Sequence, residues 1–115
     1  MIGLMLEFQY GTDFSGARLR ELAASFSARF QGMPGLRSKS FTIATARRAA
    51  INFYVWESEE AARSFLTPTL LERVTALYGV RPLVQFVDVA ALVDNGAGVG
   101  APSRPVDRQH SSASA

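Results

Sequence analysis

No cysteine occurs anywhere in the 115-residue chain, and its one histidine, His110, stands far down the C-terminal segment. The first absence excludes disulfides and thiolate-bound metals. The second leaves the folded part without imidazole, so a zinc centre, a haem-iron ligand or a Ser-His-Asp arrangement there lacks its usual group. No metal site is expected. Nor does any apolar run approach the roughly 20 residues that span a bilayer, although 48% of the residues are hydrophobic. The opening stretch MIGLMLEFQYG is apolar but short, lacks a basic leading region and is interrupted by Glu7 and Gln9. It reads as a strand and not as a signal peptide, and a cytoplasmic protein without a membrane partner is expected. Charge of one sign is also scarce. The net charge is +2, Arg104 and Arg108 lie in the C-terminal segment, and Ala46–Arg48 is the only local basic cluster. Nucleic-acid binding calls for a concentrated basic face with interleaved aromatics, so no such partner is expected. Arg47 and Arg48 read as a solvated hairpin tip.

What is present is periodicity. Ile2, Leu4, Leu6, Phe8 and Tyr10 alternate with Gly3, Met5, Glu7 and Gln9, which predicts a strand. From Ser15 to Phe30 the period becomes helical, with Leu19, Leu22, Ala23, Phe26 and Phe30 on one stripe and Thr12, Asp13 or Ser15 as the cap. The stretch QGMPGLRSKSF then ends the helix at Gly32, bars its return at Pro34 and leads into a strand over Leu36 to Ala44. TARRA is a turn, and Ala50 to Trp56 completes a hairpin. A helix follows with Ser58 as cap and Glu59 and Glu60 in its first turn; Thr67-Pro68 interrupts it and starts a second helical piece that closes at Gly79. Arg81 to Val89 is the last strand. The order β-α-β-β-α-β predicts an α+β, ferredoxin-like antiparallel sheet with its helices on one face. This domain spans residues 1–93; residues 94–115, rich in Gly, Ala, Pro and Ser, read as a flexible tail.

The helix-free face is expected to be covered too. Ile51, Phe53 and Val55 point one way along their strand while Asn52, Tyr54 and Trp56 point the other, so both faces carry apolar bulk. A homodimer packing sheet against sheet, burying on the order of 1,000 Å² or more, satisfies that pattern.

Together MPGLRSKSF, the hairpin, INFYVWESEEAARSFL and the closing VQFVDV resemble the dimeric α+β barrel superfamily of the antibiotic-biosynthesis-monooxygenase type, nearest to its YdhR-like small members. The Pro34-Gly35 pair with Lys39 shortly after is the more specific element. The resemblance implies a dimeric α+β barrel and a cofactor-independent monooxygenase for a small aromatic, polyketide-like or quinone-forming substrate. An oxygen-independent polyketide cyclase or isomerase, or a non-catalytic dimer binding a small apolar ligand, are the alternatives, because this fold does not determine the reaction. Similarity to the anthrone-oxidising members implies catalytic roles for Asn52 and Trp56: an amide holding a phenolic or carbonyl oxygen, and an indole packing on the substrate. The accompanying tyrosine and arginine are out of register here. Tyr78 or Tyr54, and Arg73, Arg81 or Arg37, are the substitutes the sequence offers. Tyr54, Lys39, Arg37 and Tyr78 are the expected substrate-binding residues, with Arg37 and Lys39 sharing one strand face as anchors for an anion or enolate, or else solvating an edge. Glu7 is the carboxylate in a strand, available as a base or for an ion pair. Haem-degrading relatives ligate iron through a histidine, which nothing before His110 supplies, and no phosphate loop marks a flavin site. No cofactor is expected.

Overall fold

Alternation decides the first strand. In β1 (Ile2–Gln9) the even-numbered side chains Leu4, Leu6 and Phe8 are completely buried, and they form the floor of the core. The structure, a computed structural model, describes residues 1–96; the tail expected over 94–115 lies, from residue 97 on, outside them. Three helices begin on hydroxyl caps that take up a free backbone N–H. Ser15 Oγ accepts from Arg18 in α1 (Gly16–Phe26), Ser58 from Ala61 in α2 (Glu59–Phe65) and Thr67 from Leu70 in α3 (Pro68–Tyr78). Pro68 occupies the first turn of α3, where a missing N–H costs nothing.

The strands β2 (Leu36–Ala44), β3 (Ala49–Trp56) and β4 (Leu83–Asp88) join β1 in the order β2-β3-β1-β4, every pair antiparallel. Leu19 and Leu22 of α1, Ala62 of α2 and Val74, Leu77 and Tyr78 of α3 pack on the same cluster as Leu4, Leu6 and Phe8, so all helices cover one face. The ferredoxin-like α+β arrangement expected from the sequence is the observed one.

Three local features differ from expectation. The helix expected to reach Phe30 stops at Phe26 and tightens into a 3-10 turn over Ser27–Phe30. That tightening is common at helix ends; here it lowers the Phe30 ring onto Phe41 and Tyr54, at centroid distances of 5.9 and 6.0 Å. The last strand begins at Leu83, not Arg81, because Pro82 has no N–H to give to a ladder. The third difference bears on function. Leu36 lies opposite Trp56, whereas Ser38 lies opposite Val55, so Arg37 is the extra residue of a bulge. Beyond it the alternation shifts by one. Lys39, Phe41 and Ile43 face the helices opposite Tyr54, Asn52 and Ala50, and Arg37 does not share their face.

The MPG stretch also has its physical account. Gly35 adopts a positive φ of 81°, and its carbonyl accepts from Glu57 N–H at 2.8 Å. A Cβ there would lie 3.0 Å from Ala61 Cβ, so glycine lets α2 close onto the start of β2.

Candidate active site

A cleft of about 880 Å³ opens between α1 and the β2-β3 hairpin. It exists because small side chains stand there: Ala23 and Ala24 of α1 and Ser27 at the start of the 3-10 turn line it and leave the space above β2 unfilled. Phe30, Phe41, Ile43 and Ala50 supply apolar wall, and Asn52, Tyr78 and Lys39 supply polar atoms. Among the described residues three cations, Arg20, Arg37 and Lys39, line the cleft, and no carboxylate or histidine does.

Among the described residues Asn52 is the one polar residue in the buried core, 3% exposed, and its Nδ2 donates to Tyr78 Oη at 3.0 Å. The Tyr78 ring stacks on Phe8 at 3.9 Å, and its carbonyl accepts from Tyr10 Oη at 2.7 Å. The end of α3 is thereby held over the middle of β3. Burial raises the Tyr78 hydroxyl above the ordinary tyrosine range, and the Asn52 amide partly opposes that shift. Tyr54 is likewise raised by burial, with Tyr78 adding to the shift and Asn52 opposing it. Both phenols stay protonated at neutral pH.

Lys39 is not a solvated edge residue, and it has no ion-pair partner among the described residues. Its Nζ donates to Tyr54 Oη at 3.0 Å and sits over the rings of Phe30, Phe41 and Tyr54, 3.9, 4.0 and 4.2 Å from their centroids. Burial lowers its pKa from 10.5 to about 7.

The other expected site residues are distributed differently. Tyr54 is buried behind Lys39 and does not line the cleft. Trp56, expected at the wall, is 2% exposed and also absent from the lining. It stacks with Tyr54 and packs at a tilt against Phe65, and its Nε1 is the one buried side-chain polar atom without a partner among the described residues. Arg37 reaches away to Met1, its Nη1 3.7 Å from the sulfur, and remains exposed at the cleft edge. Arg73 and Arg81 are exposed and lie outside the lining. Glu7 pairs with Arg47, which takes the ordinary structural alternative for that carboxylate. Arg20, Phe30 and Phe41 were not singled out in the sequence; Arg20 adjoins the apolar stripe of α1, which was the available signal.

No family model and no curated protein matches the chain. Solved structures do. A monooxygenase from Streptomyces coelicolor, ActVA-Orf6, solved with nanaomycin D, shares 22% identity over 83% of this chain and 92% of its own, with a TM-score of 0.61. A Deinococcus radiodurans protein assigned to the antibiotic-biosynthesis monooxygenases superposes at a TM-score of 0.57, with 14% identity over 85% of this chain and all of its own. SnoaB of Streptomyces nogalater, a cofactor-independent oxygenase solved as an asparagine-to-alanine variant, gives 0.55, with 18% identity over 80% and 95%. The chain shares the fold of these structures. At these identities the likeness speaks for the fold alone. Among the described residues, no helix is long and apolar enough to cross a membrane, and no three of His, Cys, Asp and Glu converge.

Proposed function

We propose that the chain is a cofactor-independent monooxygenase for a small aromatic, polyketide-like or quinone-forming molecule, acting as a homodimer. The observation that carries this reading is the Asn52–Tyr78 pair, a buried amide that fixes a protonated phenol at the wall of a largely apolar cleft. A substrate lying between α1 and β2 would offer its phenolic or carbonyl oxygen to the Tyr78 O–H, which the Asn52 N–H orients. A CH₂ flanked by such rings becomes acidic. Once it loses a proton the carbanion can reduce dioxygen itself, one oxygen atom ending in the new C=O and the other in water. The protein then has to bind, shield from water and stabilise the developing anion. Arg20 and Lys39, with Arg37 at the edge, give the cleft the sign that anion needs. Trp56 packs behind Tyr54 and serves as a positioning residue.

Two fold neighbours support the reading: one holds nanaomycin D, and another is a cofactor-independent oxygenase. For the dimer, the support is the helix-free sheet face, which carries Met5, Ile51, Phe53 and Val87, with Leu83 59% exposed on the edge strand opposite Glu7.

Oxygen uptake by metal- and flavin-free protein, measured against anthrones, hydroquinones and enolisable polyketide mimics, tests the proposal. Uptake above the uncatalysed rate that falls roughly 10- to 100-fold in Asn52→Ala or Tyr78→Phe supports it. Product formed equally under nitrogen would replace it with a cyclase or isomerase, and binding without turnover with a ligand-binding dimer.

A further inference from the structure

The chain carries 12 basic residues, and Lys39 is its only lysine. Wherever a fixed positive charge suffices the sequence uses arginine, which does not give up its proton in proteins. The single side chain of that charge able to do so is the one inside the cleft.

The surroundings of Lys39 suit a group that accepts and releases a proton. Tyr54 from β3 accepts from it, and Tyr78 from α3, Arg20 from α1 and Arg37 from its own strand line the same cleft. None is an anion, and both tyrosines are held protonated by burial. Among the described residues the cleft lining contains no Asp, Glu or His, so Lys39 is the side chain there suited to take a proton near neutral pH. Burial lowers Lys39 to about 7, which makes the free amine accessible at neutral pH. Three ring faces close to Nζ stabilise the ammonium once a proton arrives. One influence frees the lone pair and the other receives the product of its use.

We propose that Lys39 is the general base of the cleft, taking a proton from an acidic C–H or O–H of a bound enolisable or phenolic aromatic. The step is balanced as written: the amine becomes an ammonium, the bonding pair stays on the substrate as a carbanion, enolate or phenolate, and no bond forms between protein and substrate. This rests on the reading of the cleft as a site for oxidisable aromatics, and supplies the ionisation that a reaction with dioxygen requires.

Two measurements test it. Lysine labelled with ¹³C at Cε gives one resonance in the full chain, and it is expected to titrate near pH 7; a signal that stays in the ammonium form beyond about pH 9 overturns the proposal. The second is deuterium exchange into the CH₂ of a hydroxyanthrone in heavy water under nitrogen. The wild type is expected to accelerate exchange at least tenfold, and Lys39→Met and Lys39→Arg to abolish the acceleration. Arginine keeps the charge but cannot accept the proton, so exchange surviving in that variant, or no acceleration by the wild type, overturns it. The two readings fail separately. Exchange under nitrogen without oxygen uptake in air sinks the oxygenase and keeps the base; uptake unchanged in Lys39→Met does the reverse.

Discussion

Asn52 and Tyr78 meet across the core, amide nitrogen to phenolic oxygen at 3.0 Å, and so join the centre of the sheet to the last turn of α3. Nothing in local sequence requires a polar side chain at that point of β3, where its neighbours Ala50 and Tyr54 are buried. The pair is therefore costly to break from either side. Asn52→Ala and Tyr78→Phe are each expected to lose about 1–3 kcal/mol of stability, since each strands a partner in a dry environment. The double variant should lose less than the sum, with a coupling of about 1 kcal/mol. A denaturant cycle measures it. Strict additivity would mean the hydrogen bond contributes nothing.

Trp56 yields the opposite expectation. Its indole N–H is buried without an acceptor among the described residues, a cost that phenylalanine does not carry. Trp56→Phe should therefore change stability by less than about 1.5 kcal/mol, the lost packing offset by the removed orphan, while Trp56→Ala costs about 3–5 kcal/mol. Since Trp56 lies outside the cleft lining, ligand affinity should move less than about threefold in the phenylalanine variant. A larger loss of affinity by calorimetry would return the indole to the binding surface.

Much of this protein was legible in its sequence, for identifiable reasons. Ser15, Ser58 and Thr67 announced helix starts because capping is a local interaction, and Gly79 marked an end because its φ of 85° excludes most side chains. The split at Thr67-Pro68 was equally local. The candidate site was harder. Asn52 and Tyr78 could each be named, but their contact depends on how α3 crosses the sheet. Lys39 was paired with Arg37 on strict two-residue alternation, and a bulge at Arg37 broke that alternation. No residue type in LRSKS signals a bulge by itself. The cleft depends on Ala23, Ala24 and Ser27 being small opposite β2, a relation between elements that periodicity does not encode.

Gly3 links the sheet to the proposed dimer. A Cβ built there falls 2.8 Å from Val87 Cγ2 and 2.9 Å from Phe53 Cζ, so both side chains lie across the glycine on the helix-free face. The valine is stiff at its branch point, and the phenylalanine ring would have to lift. Gly3→Ala is expected to cost about 1–3 kcal/mol in overpacking and to roughen the face that would meet a second copy. Sedimentation should show dimer association weakened at least tenfold. A variant that assembles as well as wild type would place the interface elsewhere.

Lys39 makes a prediction about stability that needs no substrate. Its pKa in the folded chain is lowered to about 7 by burial, against 10.5 for the free side chain. Between those values the unfolded chain holds a proton that the folded chain has released. Unfolding then binds protons, so stability rises with pH across this window, by at most about 1.4 kcal/mol per pH unit. Below about pH 7 both states are protonated and the cost of burying the ammonium is fully present. Above about pH 10 a contrary effect enters, because Tyr10, raised to about 12 mainly by burial, and Tyr54, raised by the same cause, keep protons that the unfolded chain loses. Urea unfolding from pH 7 to 9.5 should therefore show wild type gaining stability while Lys39→Met stays nearly flat. The variant should be the more stable at pH 7, by a margin that shrinks towards pH 9.5. If both curves run parallel, the three rings around Nζ hold the ammonium against burial throughout, and the free amine that base chemistry requires is not formed at neutral pH.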